Sequence, residues 1–220
     1  MIKIIDGLFL RDDTGCSIFN RKYYSAHLRQ GDLDGACAVY SLMMYLLILG
    51  VVTRRQVEDL GKVLQKPKPV ECLFRSLFEN RGLVRDGFSY DSLQLIVNRH
   101  IGDLVQAHRD NAKKQGQIVS LIQAYLDKGT PVMISVEFSQ GAHAMLAVGY
   151  EYDESGLFNI FCLDPGFQCP TTSYWNTVIC LNEKYRSKFP HKMLTSDKQY
   201  NNAVRLGEIL VITKKNNGKI

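Results

Sequence analysis

The stretch from Cys37 to Leu49 carries apolar residues nearly all the way round a helical wheel, and Gly50 stops it. A helix with no wet face must be wrapped by the rest of the chain, so the fold is predicted to be built around it. The apolar run from Ala36 to Val52 is broken by Tyr40, Ser41, Tyr45 and Gly50. It falls short of the roughly 18 residues of a membrane span, which makes it a buried helix of a globular protein.

The segments that can wrap it differ in period along the chain. Thr53-Arg-Arg-Gln56 reads as a capping box opening a helix to about Gln65, with Pro67 and Pro69 ending it. Val70 to Glu79, Asp91 to His100 and Ile118 to Leu126 repeat apolar residues at helical spacing, the last closed by Gly129. Beyond Gly129 the residues favour strands: Pro131 to Phe138, His143 to Tyr152, Leu157 to Leu163, Thr172 to Leu181 and Glu208 to Thr213. Asp153 to Gly156 is a hairpin turn, and Lys184 to Asn202 reads as a polar surface loop. The prediction is an α+β chain, one domain over 1–220, mainly helical over about 1–129 and an antiparallel sheet over about 130–220, with a cleft between the two lobes. At 220 residues and 45% hydrophobic it is long enough to bury a substantial core.

Charge and cysteine usage narrow the function. The net charge of +5 is scattered, with a basic run only at the tail from Lys214 to Lys219, so no nucleic-acid partner is expected. The start, Met1-Ile-Lys-Ile-Ile-Asp6, lacks the parts of a signal peptide; the chain is expected to be cytoplasmic as synthesised, with export by a specialised secretion system left open. Six cysteines without a CxxC pair are expected to be free thiols. Cys162, Cys169, Cys180 and His191 match no structural zinc spacing, and neither a metal nor a cofactor is called for.

Three of these residues can do chemistry together. Cys37 opens the central helix, where the dipole favours a thiolate. Asp32 and Asp34 oppose that charge, so a neighbouring imidazolium is required. His143, among Gly141, Ala142 and Ala144, begins a strand and can take the thiol proton. Asp164, at the end of the next strand, can fix the imidazole tautomer, with Asn176 as the substitute; Asp164-Pro-Gly166 also reads simply as a turn. Gln30 can donate its amide to an oxyanion beside the Cys37 N–H. His27, His100, His108 and His191 have weaker contexts.

Gln30, Cys37, the run from His143 to Tyr150, and Asp164-Pro165 resemble the papain-like cysteine peptidase superfamily, nearest to its bacterial double-glycine-peptidase-like branch. The resemblance implies a papain-like fold, a Cys-His-Asp triad, a thioester intermediate, no metal, and a protein or peptide substrate. The Gln-to-Cys gap is one residue longer than the family usually shows, and the His-to-Asp hairpin is also longer. The absence of an attached transporter argues against leader processing. Free-standing bacterial relatives of this size suggest an effector, toxin or defence-associated protease. Two other readings stay open: a transglutaminase, deamidase or acyltransferase on the same residues, and an inactive papain-like binding module. The sequence does not fix an oligomeric state.

Overall fold

The computed structural model describes residues 1–31, 35–58, 68–79, 87–110, 112, 114–154, 156–181, 187–197 and 202–215. Four short strands come first: β1 (Ile2–Ile4), β2 (Phe9–Arg11), β3 (Gly15–Asn20) and β4 (Lys22–Ser25). Then follow α1 (Cys37–Ile48), α2 (Arg54–Glu58), α3 (Pro69–Glu79), α4 (Tyr90–Ile101), β5 (Val105–Asp110) and α5 (Gln115–Asp127). The remainder is β6 (Val132–Phe138), β7 (Gly141–Asp153), β8 (Gly156–Leu163), β9 (Thr177–Cys180), β10 (His191–Thr195) and β11 (Asn202–Lys214).

All strand pairs are antiparallel. Strands β6, β7, β8, β9, β10 and β11 pair in that order and return through β11 to β6, so the large sheet closes on itself. β1 lies beside β7 and β5 beside β11, while β2, β3 and β4 form a separate small sheet. Closure leaves few free edges among these six strands. At Gly149 the first strand comes so near that an added Cβ would meet both the Lys3 carbonyl oxygen and Ile4 Cδ1 at 2.5 Å. Only glycine lets β1 take that lane.

The helices fall where the apolar period places them, and their ends follow the capping chemistry. Thr53 and Gln56 make the reciprocal box, with Gln56 N–H to Thr53 Oγ1 at 3.3 Å and Thr53 N–H to Gln56 Oε1 at 2.9 Å. The expected continuation of α2 towards Gln65 lies outside the described residues. Pro69 opens α3, where its missing N–H costs no helical bond. Gly129, at φ +71, follows the end of α5.

Three expectations need correction. The boundary near residue 129 does not separate a mainly helical lobe from the sheet: β1 and β5 precede it in the chain yet join the large sheet beside β7 and β11, and β2 to β4 form a small sheet of their own. The segment read as a polar loop from Lys184 to Asn202 contains β10, where His191 and Met193 are buried on either side of exposed Lys192. Two inward residues in so short a strand are too few to stand out from their polar flanks. The strand expected from Thr172 begins only at Thr177, because Asn176 is committed to hydrogen bonds described below.

α1 is the centre of the molecule, with Leu42, Met44, Tyr45 and Leu46 at 0% exposure. Its polar atoms are not stranded. Cys37, Ser41 and Tyr45 recur every four residues and form one stripe facing the sheet. Ser41 Oγ donates to the Ala144 carbonyl at 3.2 Å. The Tyr45 hydroxyl donates to the Ile212 carbonyl and accepts from the Ile212 N–H, both at 2.9 Å. Tyr45→Phe removes both bonds and leaves two buried backbone groups of β11 unpaired. It should destabilise the protein by about 1–3 kcal/mol in urea unfolding; an unchanged midpoint would mean that α1 is held by apolar packing alone.

Candidate active site

β7 runs past the end of β8. Their pairing begins at Leu146 opposite Leu163, so β7 from Gly141 to Met145 has no β8 neighbour. The N-terminus of α1 meets this overhang. Ala144 N–H donates to Cys37 Sγ at 3.4 Å, and the Ala144 carbonyl takes the Ser41 hydroxyl. One residue earlier, His143 lines the same cleft as Cys37, near enough for its charge to act on the thiol. The helix start and the strand overhang thus bring together two residues far apart in the chain.

Asp164 lies where β8 ends and is fully buried. Its Oδ1 accepts from His143 Nε2 at 2.6 Å and from the Gly166 N–H at 2.8 Å, and its Oδ2 accepts from Thr177 Oγ1 at 3.1 Å. A buried carboxylate needs such partners to stay ionised. With Nε2 held by the carboxylate, Nδ1 is the ring nitrogen left for the thiol. Gly166 packs against the imidazole; an added Cβ would stand 3.2 Å from Asp164 Oδ1 and 3.6 Å from His143 Nε2. The Asp-Pro-Gly turn and the contact with His143 therefore coexist.

Asn176 does not reach His143 as a substitute for Asp164. It grips the Asp164 backbone instead: Asn176 Oδ1 accepts the Asp164 N–H at 2.7 Å, and Nδ2 donates to the Asp164 carbonyl at 2.8 Å and the Phe167 carbonyl at 2.7 Å. His27 Nε2 lies 2.8 Å from the same Asp164 carbonyl, with burial pushing the ring's pKa down. The acceptor there requires Nε2 to carry the proton. His27 is thus a brace that sequence spacing could not reveal, since 137 residues separate it from Asp164.

Cys37, His143 and Gln30 line one cleft of about 540 Å³, within the size range of ligand sites. The Gln30 N–H donates to the Pro165 carbonyl at 2.9 Å, tying the segment before α1 to the turn after Asp164. Asp32 and Asp34 lie outside the described residues. The cleft wall also carries Tyr90, from the start of α4, which the sequence did not single out. Gln30 Oε1 and the Tyr90 hydroxyl are buried and have no hydrogen-bond partner among the described residues. Each such group costs about 1–3 kcal/mol.

Burial alone would push the Cys37 thiol up. The His143 hydrogen bond and charge, with the Ala144 and Ala38 N–H groups, bring it below its ordinary value. For His143, burial opposes the imidazolium, but the Asp164 carboxylate and the Cys37 thiolate outweigh it and raise the pKa to about 10. The two shifts both favour a thiolate–imidazolium pair, which titrates as a unit. The other shifted thiols move the opposite way: burial raises Cys16, Cys162 and Cys180, and takes Cys169 to about 11. Among the described residues no group of three or more His, Cys, Asp or Glu side chains is arranged to hold a metal. No described helix is long and apolar enough to cross a membrane.

Cys37 should therefore alkylate ahead of Cys16, Cys162, Cys169 and Cys180 when limiting iodoacetamide is followed by peptide mapping. Its rate should rise with pH through a midpoint below that of an ordinary thiol. His143→Ala should move the midpoint upward, because the cation that stabilises the thiolate is gone. A midpoint unmoved by that substitution would show that the helix N-terminus alone sets the thiol.

The Peptidase_C39 like family model matches residues 21–200, a span that contains Gln30, Cys37, His143 and Asp164. No curated protein matches the chain. Among solved structures, UfSP from C. elegans aligns at a TM-score of 0.47 and 13% identity, covering 98% of this chain and 34% of that one. The chain thus spans about a third of the length of that protein. The family match extends over most of the sequence, and the chain belongs to the Peptidase_C39 like family, within the papain-like cysteine peptidase superfamily.

Proposed function

We propose that the chain cleaves peptide or isopeptide bonds in a protein substrate, with Cys37 as nucleophile, His143 as base and acid, and Asp164 as the group that orients His143. The observation that carries this reading is the 2.6 Å bond from His143 Nε2 to a buried Asp164, made in the same wall of the cleft as the thiol at the α1 N-terminus. An inactive binding module would be expected to carry these groups misaligned or occluded. Here they share a cleft, which supports catalysis.

The Cys37 thiolate attacks the scissile carbonyl carbon, and the carbonyl oxygen gathers negative charge. The Cys37 N–H and the Gln30 amide supply hydrogen bonds to that oxygen. The His143 imidazolium gives its proton to the departing amine as the C–N bond breaks, leaving a thioester. Water then attacks the thioester; His143 takes its proton, and the thiolate leaves. Asp164 holds the imidazole in one tautomer throughout. Neither a metal nor a cofactor enters these steps. The suggestion of a bacterial effector, toxin or defence-associated protease, made in the cytosol, rests on the sequence resemblance alone.

Cys37→Ala and His143→Ala should abolish Cys37-dependent cleavage while leaving the unfolding midpoint nearly unchanged. Asp164→Asn should retain a reduced rate, because orientation is weakened and not removed. Cleavage by purified Cys37→Ala protein would end the proposal. Gln30→Ala should lower kcat by roughly 10²–10³ with little change in KM, because its donor matters only where charge develops. An unchanged kcat would assign that role to a backbone N–H.

A further inference from the structure

The cleft continues beyond the thiol to a second group of polar side chains that the proposed chemistry does not use. Tyr90 and Glu208 both line it, with Ser89 and Ser135 between the apolar walls. Glu208 reaches the cleft because β11 is irregular there. The register against β6 shifts between Leu206 and Ile209, and Gly207 stands at the step, where an added Cβ would lie 3.0 Å from Glu137 Oε1 and 3.4 Å from Ser135 Cβ. A bulge of this kind re-aims the side chain it carries, and bulges are over-represented beside active sites.

Glu208 shares its counter-charge with a second carboxylate. Its partner is Arg109 at 2.8 Å, and the same guanidinium pairs with Asp91 at 2.9 Å. One cation therefore serves two carboxylates. Among the described residues no Lys or Arg lines the cleft, and its basic side chain is His143, paired with Asp164. Tyr90 adds an independent observation. It is 4% exposed, its hydroxyl has no partner among the described residues, and it feels the charges of both Cys37 and Glu208. A phenol oxygen can accept as well as donate a hydrogen bond, and a carboxylate only accepts. Together they present acceptors and negative charge to whatever occupies that end of the cleft.

We propose that Tyr90 and Glu208 form a specificity subsite of the Cys37 cleft that takes a basic side chain, Lys or Arg, of the peptide substrate. An ammonium or guanidinium brings a donor for the Tyr90 oxygen and a further one for Glu208 beside Arg109, and its charge balances the excess carboxylate. An acidic side chain would meet Glu208 at like charge and be rejected. The subsite deepens the peptidase reading and rests on it.

The test is to digest a proteome-derived peptide library, prepared so that Lys and Arg stay internal, with the full chain and to map the cuts. Cys37→Ala protein supplies the background. Lys or Arg should be enriched about tenfold at one fixed position near the cut bond, the worth of one charge-assisted hydrogen bond. Glu208→Gln, at a half-exposed position, should reduce the enrichment to about twofold or less. Tyr90→Phe, which keeps the buried ring, should reduce it severalfold. Cys37-dependent cuts without basic enrichment, or enrichment that both variants retain, would overturn the subsite and leave the peptidase reading standing. A library with no Cys37-dependent cuts would overturn the peptidase reading and the subsite with it.

Discussion

The docking of α1 onto the overhanging end of β7 is the contact on which the rest of the molecule depends. A helix this apolar has its own reason to be buried, but hydrophobic burial is non-directional and does not fix which atom faces which strand. The register is fixed by hydrogen bonds along one stripe: Cys37 with the Ala144 N–H, Ser41 with the Ala144 carbonyl, Tyr45 with both backbone groups of Ile212. Each bond satisfies a strand group that sheet pairing leaves open. The same stripe that seats the helix delivers its first residue, the thiol, to the neighbour of His143.

The second constraint acts on Asp164. A carboxylate at 0% exposure is retained because every oxygen has a donor and its own peptide groups are held by Asn176 and His27. This shell fixes the position of the carboxylate, which in turn fixes the imidazole ring. Gln30 joins the same arrangement through Pro165. The cleft is consequently rigid on the side of the proposed chemistry. Another part of its lining comes from the β11 bulge and from α4, through Glu208 and Tyr90. That division suits an enzyme whose specificity and chemistry are built on separate supports.

Much of the fold was legible because its signals are local. The all-apolar wheel from Cys37 to Leu49, the Thr53–Gln56 box, the Gly129 stop and the strand-rich run after it each depend on neighbours within a few residues. The strands that escaped notice are short or patterned by distant partners. β10 has two inward residues, and β1 owes its place to a glycine in β7. Its partner lies about 150 residues away, so no window of sequence contains the reason for it.

Residue type and chain order were enough to list the candidate residues: a cysteine at a helix start, a histidine at a strand start, an aspartate after the next strand, and a family match spanning all three. These follow from residue type and chain order, which set secondary structure through local backbone and side-chain preferences. The tertiary structure alone decided the division of labour between Asp164 and Asn176. Either side chain can accept from an imidazole, and only their placement makes one the partner of His143 and the other a brace. It likewise decided that His27 supports the site and that Tyr90 and Glu208 share the cleft. Such assignments depend on angstrom-scale distances between segments remote in sequence, and hydrogen bonding is short-ranged and directional.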